Sequence, residues 1–508
     1  MKINQRKAGV LLSYALTGTN ALVGFIYIPI LIYFLGKEEY GLYQLMGSFL
    51  VYLGLFDFGL SNTVTRYYSK YIALKDEKAK ENVLALSTVI YTILTTILVV
   101  VGIILYFYLD EIFNNALTAS EIASAEKIYI IILITTVITI STSVFNSIIT
   151  ANEQFMFLKG LSIIQTIMRP IIVFAVFSIE ASALIVVIIQ ALINILGIVL
   201  KIYYSLKKLQ VKIKLHYWDI PLLKEMFRYS FFIFITALMD QIFWRSDQVI
   251  LGIIVGTTSV AVYSIGSQII MNYMTLSTAM SGVFLPSITK KVTENVSNDE
   301  LTDIFVKLGR LQYIILGAVL TGFIMFGKEF IYIWVGDSFS EAYYITLVIM
   351  VPFTIDLIQN IGLTILQAKN MYSFRASVFL IMSLLNIVFS IPLAIHYGGI
   401  GAAVATSTSY LIGNGLIMNI YYYKKVKLDI IQFWKEMIKI SIPLAITCIL
   451  GIFINEINFN SQVLSFLIKL MLYVVTYILV MWILGLNKYE KGLILGPLKK
   501  LRRQKNEF

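Results

Sequence analysis

Apolar runs of about twenty residues, the length of helix that crosses a hydrocarbon core of about 30 Å, recur along this chain almost to its end. Fourteen can be marked out, at approximately 9–35, 45–66, 84–109, 128–150, 161–179, 182–204, 229–254, 260–286, 311–335, 343–367, 376–396, 400–423, 438–455 and 463–485. The runs are continuously apolar and do not alternate. That selects helices over a barrel, because a helix satisfies its own backbone hydrogen bonds in lipid. Composition agrees: 58% of the 508 residues are hydrophobic and 14% charged, against about 25% charged in soluble domains. The expected fold is an all-α polytopic membrane protein of about fourteen transmembrane helices, with its least distinct boundaries at 179–182 and 398–401.

The basic start MKINQRKAG precedes a run too long for a secretory signal and without a small-residue cleavage site, so it reads as an uncleaved first span. With the N-terminus inside, 34 of the 40 Lys and Arg fall in inner segments, three in outer segments (Lys37, Lys127, Lys328) and three within spans (Arg169, Arg245, Lys469). This asymmetry fits the positive-inside rule with both termini cytoplasmic. The net charge of +11 then describes a surface facing anionic lipid and no nucleic-acid site. One cysteine, Cys448, and two distant histidines, His216 and His396, offer neither a disulfide framework nor a metal or cofactor constellation.

LGKEEYGLYQLMGS (35–48) has a counterpart in VGTTSVAVYSIGSQ (255–268), shifted by 220. ANEQFMF (151–157) lies over AKNMYSF (368–374), and Lys207-Lys208 over Lys424-Lys425, both shifted by 217. Six spans separate equivalent points, so the copies share one orientation. The chain reads as two pseudo-symmetric six-helix bundles plus two C-terminal helices. These are an N-lobe at 1–206, a cytoplasmic amphipathic linker at 207–228, a C-lobe at 229–425, spans thirteen and fourteen at 426–486 and a basic cytoplasmic tail at 487–508. For the linker, an interfacial connector and a plain solvated loop both stay open. Parallel repeats of this kind are a transporter architecture, with the substrate between lobes near mid-membrane.

LGKEEYGLYQL after the first span, DFGLSNTVTRYYSKY (57–71) at the end of the second, the 6+6+2 layout and the basic inner loops resemble the Wzx-type oligosaccharide flippases. These share a superfamily with the multidrug and toxic-compound extrusion (MATE) antiporters and the lipid II flippases. The resemblance implies a MATE-like fold alternating between inward-open and outward-open states. It also implies a bacterial cytoplasmic membrane, an undecaprenyl-diphosphate-linked saccharide as cargo, and membrane lipids and polysaccharide assembly proteins as partners.

An ionisable side chain within a span costs at least about 2.5–3.5 kcal/mol on insertion scales and is a functional candidate by default. In MDQIFWRSDQVI (239–250), Asp240 and Asp247 share one stripe of the seventh span, with Arg245 on the adjoining flank and Trp244 in the same polar arc. That arc reads as one wall of a wet cleft; an Arg245–aspartate pair locking the second lobe is the alternative. The repeat offset places Asn20, Phe25 and Tyr27 opposite these residues. Arg169, followed by Pro170, is a second deep cation, read as a phosphate contact or as a structural partner of Asp57 or Asp356. Asp57 and Arg66 lie toward the inner mouth, Arg66 as a snorkelling anchor or a phosphate-capturing residue. Asp356 shares a face with Gln359 and Asn360, suited to lumen lining or to interhelical hydrogen bonding.

The expected cargo-binding set is therefore Arg169, Arg245, Asp240, Asp247, Asp356, Asn20 and Trp244, with Asp57 and Arg66 at the inner mouth. A proton or sodium ion is the coupling-ion candidate, at a carboxylate the sequence does not select. No G-x-x-x-x-G-K-[ST] loop supports a nucleotide-driven pump. A MATE-type drug antiporter is opposed by a first span without an acid and by the two extra spans; a lipid II flippase fits the span number. A polysaccharide polymerase, ligase or acyltransferase lacks any Ser/His/Asp, Cys/His or metal spacing, and the expectation is no enzyme.

Overall fold

The computed structural model describes residues 5–294, 296–457, 459–493 and 495–496; residues 497–508 of the basic tail lie outside them. In chain order the long helices are α1 (Gln5–Gly54), α2 (Leu60–Leu74), α3 (Glu77–Phe113), α4 (Ala119–Ser141), α5 (Ser143–Ala151), α6 (Phe155–Phe177), α7 (Ala183–Tyr203), α8 (Ile220–Ile254) and α9 (Thr257–Thr293). They continue with α10 (Asn298–Val335), α11 (Glu341–Ile358), α12 (Asn360–Ala368) and α13 (Tyr372–Tyr410). The last of these runs on to Val426 through two π-helical segments, and α14 (Ile430–Asn455) and α15 (Gln462–Val480) follow. Described residues form no strand.

Among the described residues eleven helical stretches are long and apolar enough to cross a membrane. Two of them hold an internal break, at Gly36 (φ 74°, ψ 179°) and at Gly398 (φ 54°, ψ −133°). Both are backbone conformations that a side chain disfavours, so each glycine divides one helical stretch into two. The helical surface carries large apolar side chains such as Tyr33, Phe107 and Ile179, which are more than three-quarters exposed. A surface of that kind suits lipid and not water, and the chain is a multi-pass membrane protein.

Short polar residues start the helices where the apolar runs begin. Thr118 and Glu121 form a reciprocal capping box at α4, while the Asp76, Asp219 and Asp429 carboxylates accept from the backbone N–H groups of Ala79 (3.0 Å), Leu222 (2.9 Å) and Gln432 (2.9 Å). Each satisfies a backbone donor that the helix itself leaves orphaned.

The internal repeat is visible in backbone and side chains. Glu153 and Asn370, 217 apart, both take a left-handed φ (56° and 55°), as do Gln210 and Lys427 (51° and 63°). Helix α4 gives way to α5 at Thr142, and α11 to α12 at Gln359, again 217 apart. Phe157 stacks on Tyr204 at 4.0 Å, and Phe374 on Tyr421 at 3.9 Å, at the same offset. Gly36 and Gly256, paired from the sequence, both have positive φ.

The chain forms two compact units, 1–264 and 265–508. Helix α8 belongs to the first, although the sequence reading counted it with the second lobe. In the first unit α1 packs along α6, and α4 between α3 and α7. Gly41 is required at its position, since a Cβ there would lie 1.9 Å from the Thr257 carbonyl oxygen.

The 207–228 linker is mostly irregular in its first half and helical in its second. Residues 210–219 have no regular structure and α8 begins at Ile220. The Asn82 side-chain oxygen accepts from the backbone N–H groups of His216 (2.8 Å) and Tyr217 (3.1 Å), and Glu81 meets His216 Nε2 at 2.8 Å. That hydrogen bond holds the Glu81 carboxyl below its usual range. A depressed folded-state pKa means the contribution is full above the unfolded value and is lost as pH falls through the folded one. Asn82→Ala is expected to release the strap and accelerate trypsin cleavage after Lys212 and Lys214 by about thirtyfold at neutral pH, the loss of two hydrogen bonds at roughly 1 kcal/mol each.

In the second unit α10 is the post to which the last two helices are tied. Phe326, Ile440, Leu444, Tyr473, Tyr477 and Met481 form one buried cluster. At one end Arg310 donates through Nε to Glu490 (2.7 Å), through Nη1 to Glu436 (3.0 Å) and through Nη2 to the Gly485 carbonyl (3.0 Å). Farther along, Lys469 pairs with Glu329 at 3.2 Å.

Candidate functional site

Five helices of the first unit surround a cavity of about 420 Å³. Its polar lining is Tyr43 and Gln44 from α1, Thr135 from α4, Gln165 and Arg169 from α6, Gln190 and Asn194 from α7, and Arg245 from α8. Gln165 and Arg169 are four apart, as are Gln190 and Asn194, so each pair projects from one helix face. Among the described residues no carboxylate lines the cavity.

The two guanidiniums are held differently. Arg245 Nη1 donates to Gln248 Oε1 (3.2 Å), which also accepts from Ser48 Oγ (2.6 Å), while Gln248 Nε2 donates to Ser264 Oγ (3.2 Å). Gln248 is buried, and this network fixes the amide that steers Arg245. The Arg169 Nε is buried with no acceptor. Among the described residues neither arginine is in an ion pair. Two uncompensated cations around one space, one with an orphaned N–H, are costly until an anion enters. Arginine forks match phosphate or carboxylate oxygens.

Of the residues singled out from the sequence, the structure brings only Arg169 and Arg245 to this cavity. Asp247 is 2% exposed and accepts from Tyr263 OH at 2.5 Å. The polar arc is thus shared between a packed interior and the cavity, and the Arg245–aspartate lock is not formed. Asp240 is exposed, Trp244 stands edge-on to Phe243, and Asn20 accepts from Thr166 (3.0 Å). Tyr27 is buried with its hydroxyl unpartnered.

Asp57 meets Ser61 Oγ (3.1 Å) and Tyr91 OH (3.2 Å), not Arg169. It sits at a break where Phe58 and Gly59 are both left-handed, so the second span is not one continuous helix. Arg66 is exposed, with its guanidinium 4.5 Å from the Tyr229 ring centre. In the second unit Asp356 pairs with Arg375 at 3.6 Å, Gln359 Nε2 donates to Asn419 (3.0 Å) and Asn360 Nδ2 to Ser277 (3.3 Å). This is the interhelical hydrogen-bonding alternative for that patch.

The cavity amides were missed by sequence reasoning. Their signal was the recurrence of polar residues at i and i+4 within apolar runs on α6 and α7. At the 217 offset Gln165, Arg169, Gln190 and Asn194 correspond to Met382, Asn386, Ser407 and Leu411, so the cationic lining is not repeated in the second copy.

Comparisons with known proteins agree with this architecture. The fold is similar to that of the lipid II flippase MurJ in an inward closed conformation, with a TM-score of 0.74 at 18% identity over 96% of this chain and all of that one. It is also similar to a multidrug resistance MATE family transporter of the MOP superfamily, with a TM-score of 0.63 at 14% identity over 80% of this chain and 95% of that one. A candidate O-antigen transporter of Shigella flexneri is 22% identical over 400 residues, 76% of this chain and 90% of its own length. A candidate low-salt glycan biosynthesis flippase of Haloferax volcanii is 22% identical over 220 residues, 43% of this chain and under half (46%) of its own length. A family model described as polysaccharide biosynthesis protein matches residues 7–292, more than half of the chain, and the chain belongs to that family of membrane proteins.

Proposed function

We propose that the protein is a flippase for a lipid-linked saccharide, moving a polyprenyl-diphosphate-linked glycan from the inner to the outer leaflet of a bacterial cytoplasmic membrane for cell-surface polysaccharide export. The observation that carries this reading is the cavity lined by two arginines that, among the described residues, have no ion-pair partner and no carboxylate beside them. A diphosphate is its natural counter-charge, and the relatives named as a glycan flippase and an O-antigen transporter support the cargo class. A cationic drug, the cargo of the antiporter alternative, would be repelled there.

In this reading the chain crosses the membrane fourteen times. The eleven stretches, the two glycine breaks and the further long helix α9 are consistent with that number, and both termini are cytoplasmic. The protein transports and does no covalent chemistry. A proton or sodium gradient drives it, with Asp57, Asp240, Asp247 and Asp356 the carboxylates available to carry the ion, and polysaccharide assembly proteins receive the product.

The test is leaflet exchange in proteoliposomes. Undecaprenyl-diphosphate-linked saccharide is expected to move at least about tenfold faster than in protein-free vesicles, while the organic cation ethidium is not transported. Ethidium transport without saccharide movement would establish the antiporter instead.

A further inference from the structure

The neutral side chains of the arginine cavity have a defined hydrogen-bond polarity. Gln165 Nε2 donates to the Ile193 carbonyl oxygen (2.9 Å), and a carbonyl can only accept, so the amide orientation is set. Gly197 holds it there: a Cβ at that position would lie 2.2 Å from Gln165 Nε2. Asn194 Nδ2 meets Thr139 Oγ1 at 3.0 Å, and Thr139 has already given its hydroxyl proton to the Thr135 carbonyl (2.7 Å). Asn194 must therefore be the donor, and its Oδ1 is turned away from that bond.

Gln190 Nε2 lies 2.7 Å from Tyr43 OH, and Gln44 Nε2 lies 2.7 Å from Tyr40 OH. Among the described residues the carbonyl oxygens of Gln165 and Asn194 have no protein donor, although both residues line the cavity. Two guanidinium forks thus line the same cavity as two amide oxygens whose nitrogens each spend one of their two N–H donors on protein. Such a lining offers unused amide acceptors beside the donors of its charged groups.

We propose that Gln165 and Asn194 form a carbohydrate subsite that accepts hydrogen bonds from the hydroxyl or amide N–H groups of the sugar attached to the diphosphate. The subsite rests on the flippase reading above. A diphosphate presents only acceptors, so it engages Arg169 and Arg245 and gains nothing from the two amide oxygens; a sugar hydroxyl presents the donor they lack. A site built to bond a hydroxyl discriminates against a ligand without one, because its amide oxygens then lack that donor. The cavity falls within the range that holds a small ligand, room for the charged group and its adjoining sugar. The second copy, with Met382 and Leu411 at these positions, has no equivalent pair.

The experiment compares binding of undecaprenyl diphosphate with that of undecaprenyl-diphosphate N-acetylglucosamine to the purified full-length protein. The wild type is expected to bind the glycosylated probe about tenfold more tightly, the value of one or two hydrogen bonds. Asn194→Leu and Gln165→Leu are each expected to lower that ratio at least threefold. Gly197→Ala, which displaces the Gln165 amide without changing its chemistry, is expected to do the same. Arg169→Lys should weaken both probes together and leave the ratio unchanged.

A ratio near one in the wild type, or a wild-type ratio retained in both Asn194→Leu and Gly197→Ala, would overturn the subsite while leaving the diphosphate reading intact. Binding of neither probe to the wild type would overturn both. The Asn194 variant keeps the test decisive if the Gly197 variant fails to fold.

Discussion

Alanine at either Arg169 or Arg245 is expected to slow flipping of the diphosphate-linked saccharide by about ten- to a hundredfold, with folding intact. The range follows from roughly 1.5–3 kcal/mol for a hydrogen bond to a charged group and 1.4 kcal/mol per factor of ten. Lysine at either position retains the charge but not the fork and should fall between alanine and wild type. The informative variant is Arg245→Ala combined with Asp247→Ala. If Arg245 were a structural counter-ion, removing its partner as well would restore transport. The structure gives Asp247 to Tyr263 and Arg245 to Gln248, so the double variant is expected to stay as inactive as Arg245→Ala alone. Recovery in the proteoliposome assay would move the anion site elsewhere.

Arg310→Ala is expected to be the most destabilising single change outside the cavity, costing about 3–5 kcal/mol. Arg310 and Glu490 are both nearly sealed from solvent, with side-chain exposures of 5% and 2%. Truncating the arginine leaves a buried carboxylate facing Glu436 without the cation between them. Thermal unfolding in detergent should show the drop, and Arg310→Met with Glu490→Gln should recover a large part of it because no buried charge then lacks a partner. A similar melting temperature for Arg310→Ala and wild type would mean that the Phe326–Tyr473 cluster and the Lys469–Glu329 pair suffice to hold the C-terminal helices.

The span positions, the repeat and the two deep arginines could be read from the sequence because each has a large free-energy signature there. A twenty-residue apolar run has few other uses, and an arginine in such a run has to be accounted for. Gln165, Gln190 and Asn194 carry no comparable penalty and look like ordinary helix-packing residues until α6 and α7 are seen to converge. The helical wheel placed Asp240 and Asp247 correctly on one stripe of α8. It could not say that Tyr263 of α9 would cover Asp247, because a wheel contains no neighbours. Nor could hydropathy register the break at Phe58 and Gly59, which interrupts a span without changing its apolar character.

The left-handed turns, the helix breaks and the Phe–Tyr stacks recur at a fixed interval, whereas the cavity lining does not. Duplication left this chain with two versions of one scaffold, and only one of them retains or has acquired the arginine and its amide companions. On the proposed function, selection can therefore act on the halves separately: substitutions at Gln165, Arg169, Gln190 and Asn194 answer to the cargo, while those at Met382, Asn386, Ser407 and Leu411 answer to packing and to the bonds of Asn386 with Thr406 and Ser407 with Val348. Among relatives that export different glycans, divergence should accumulate faster on the second set of positions' packing partners than on its backbone turns, and cargo-linked change should concentrate in the first set.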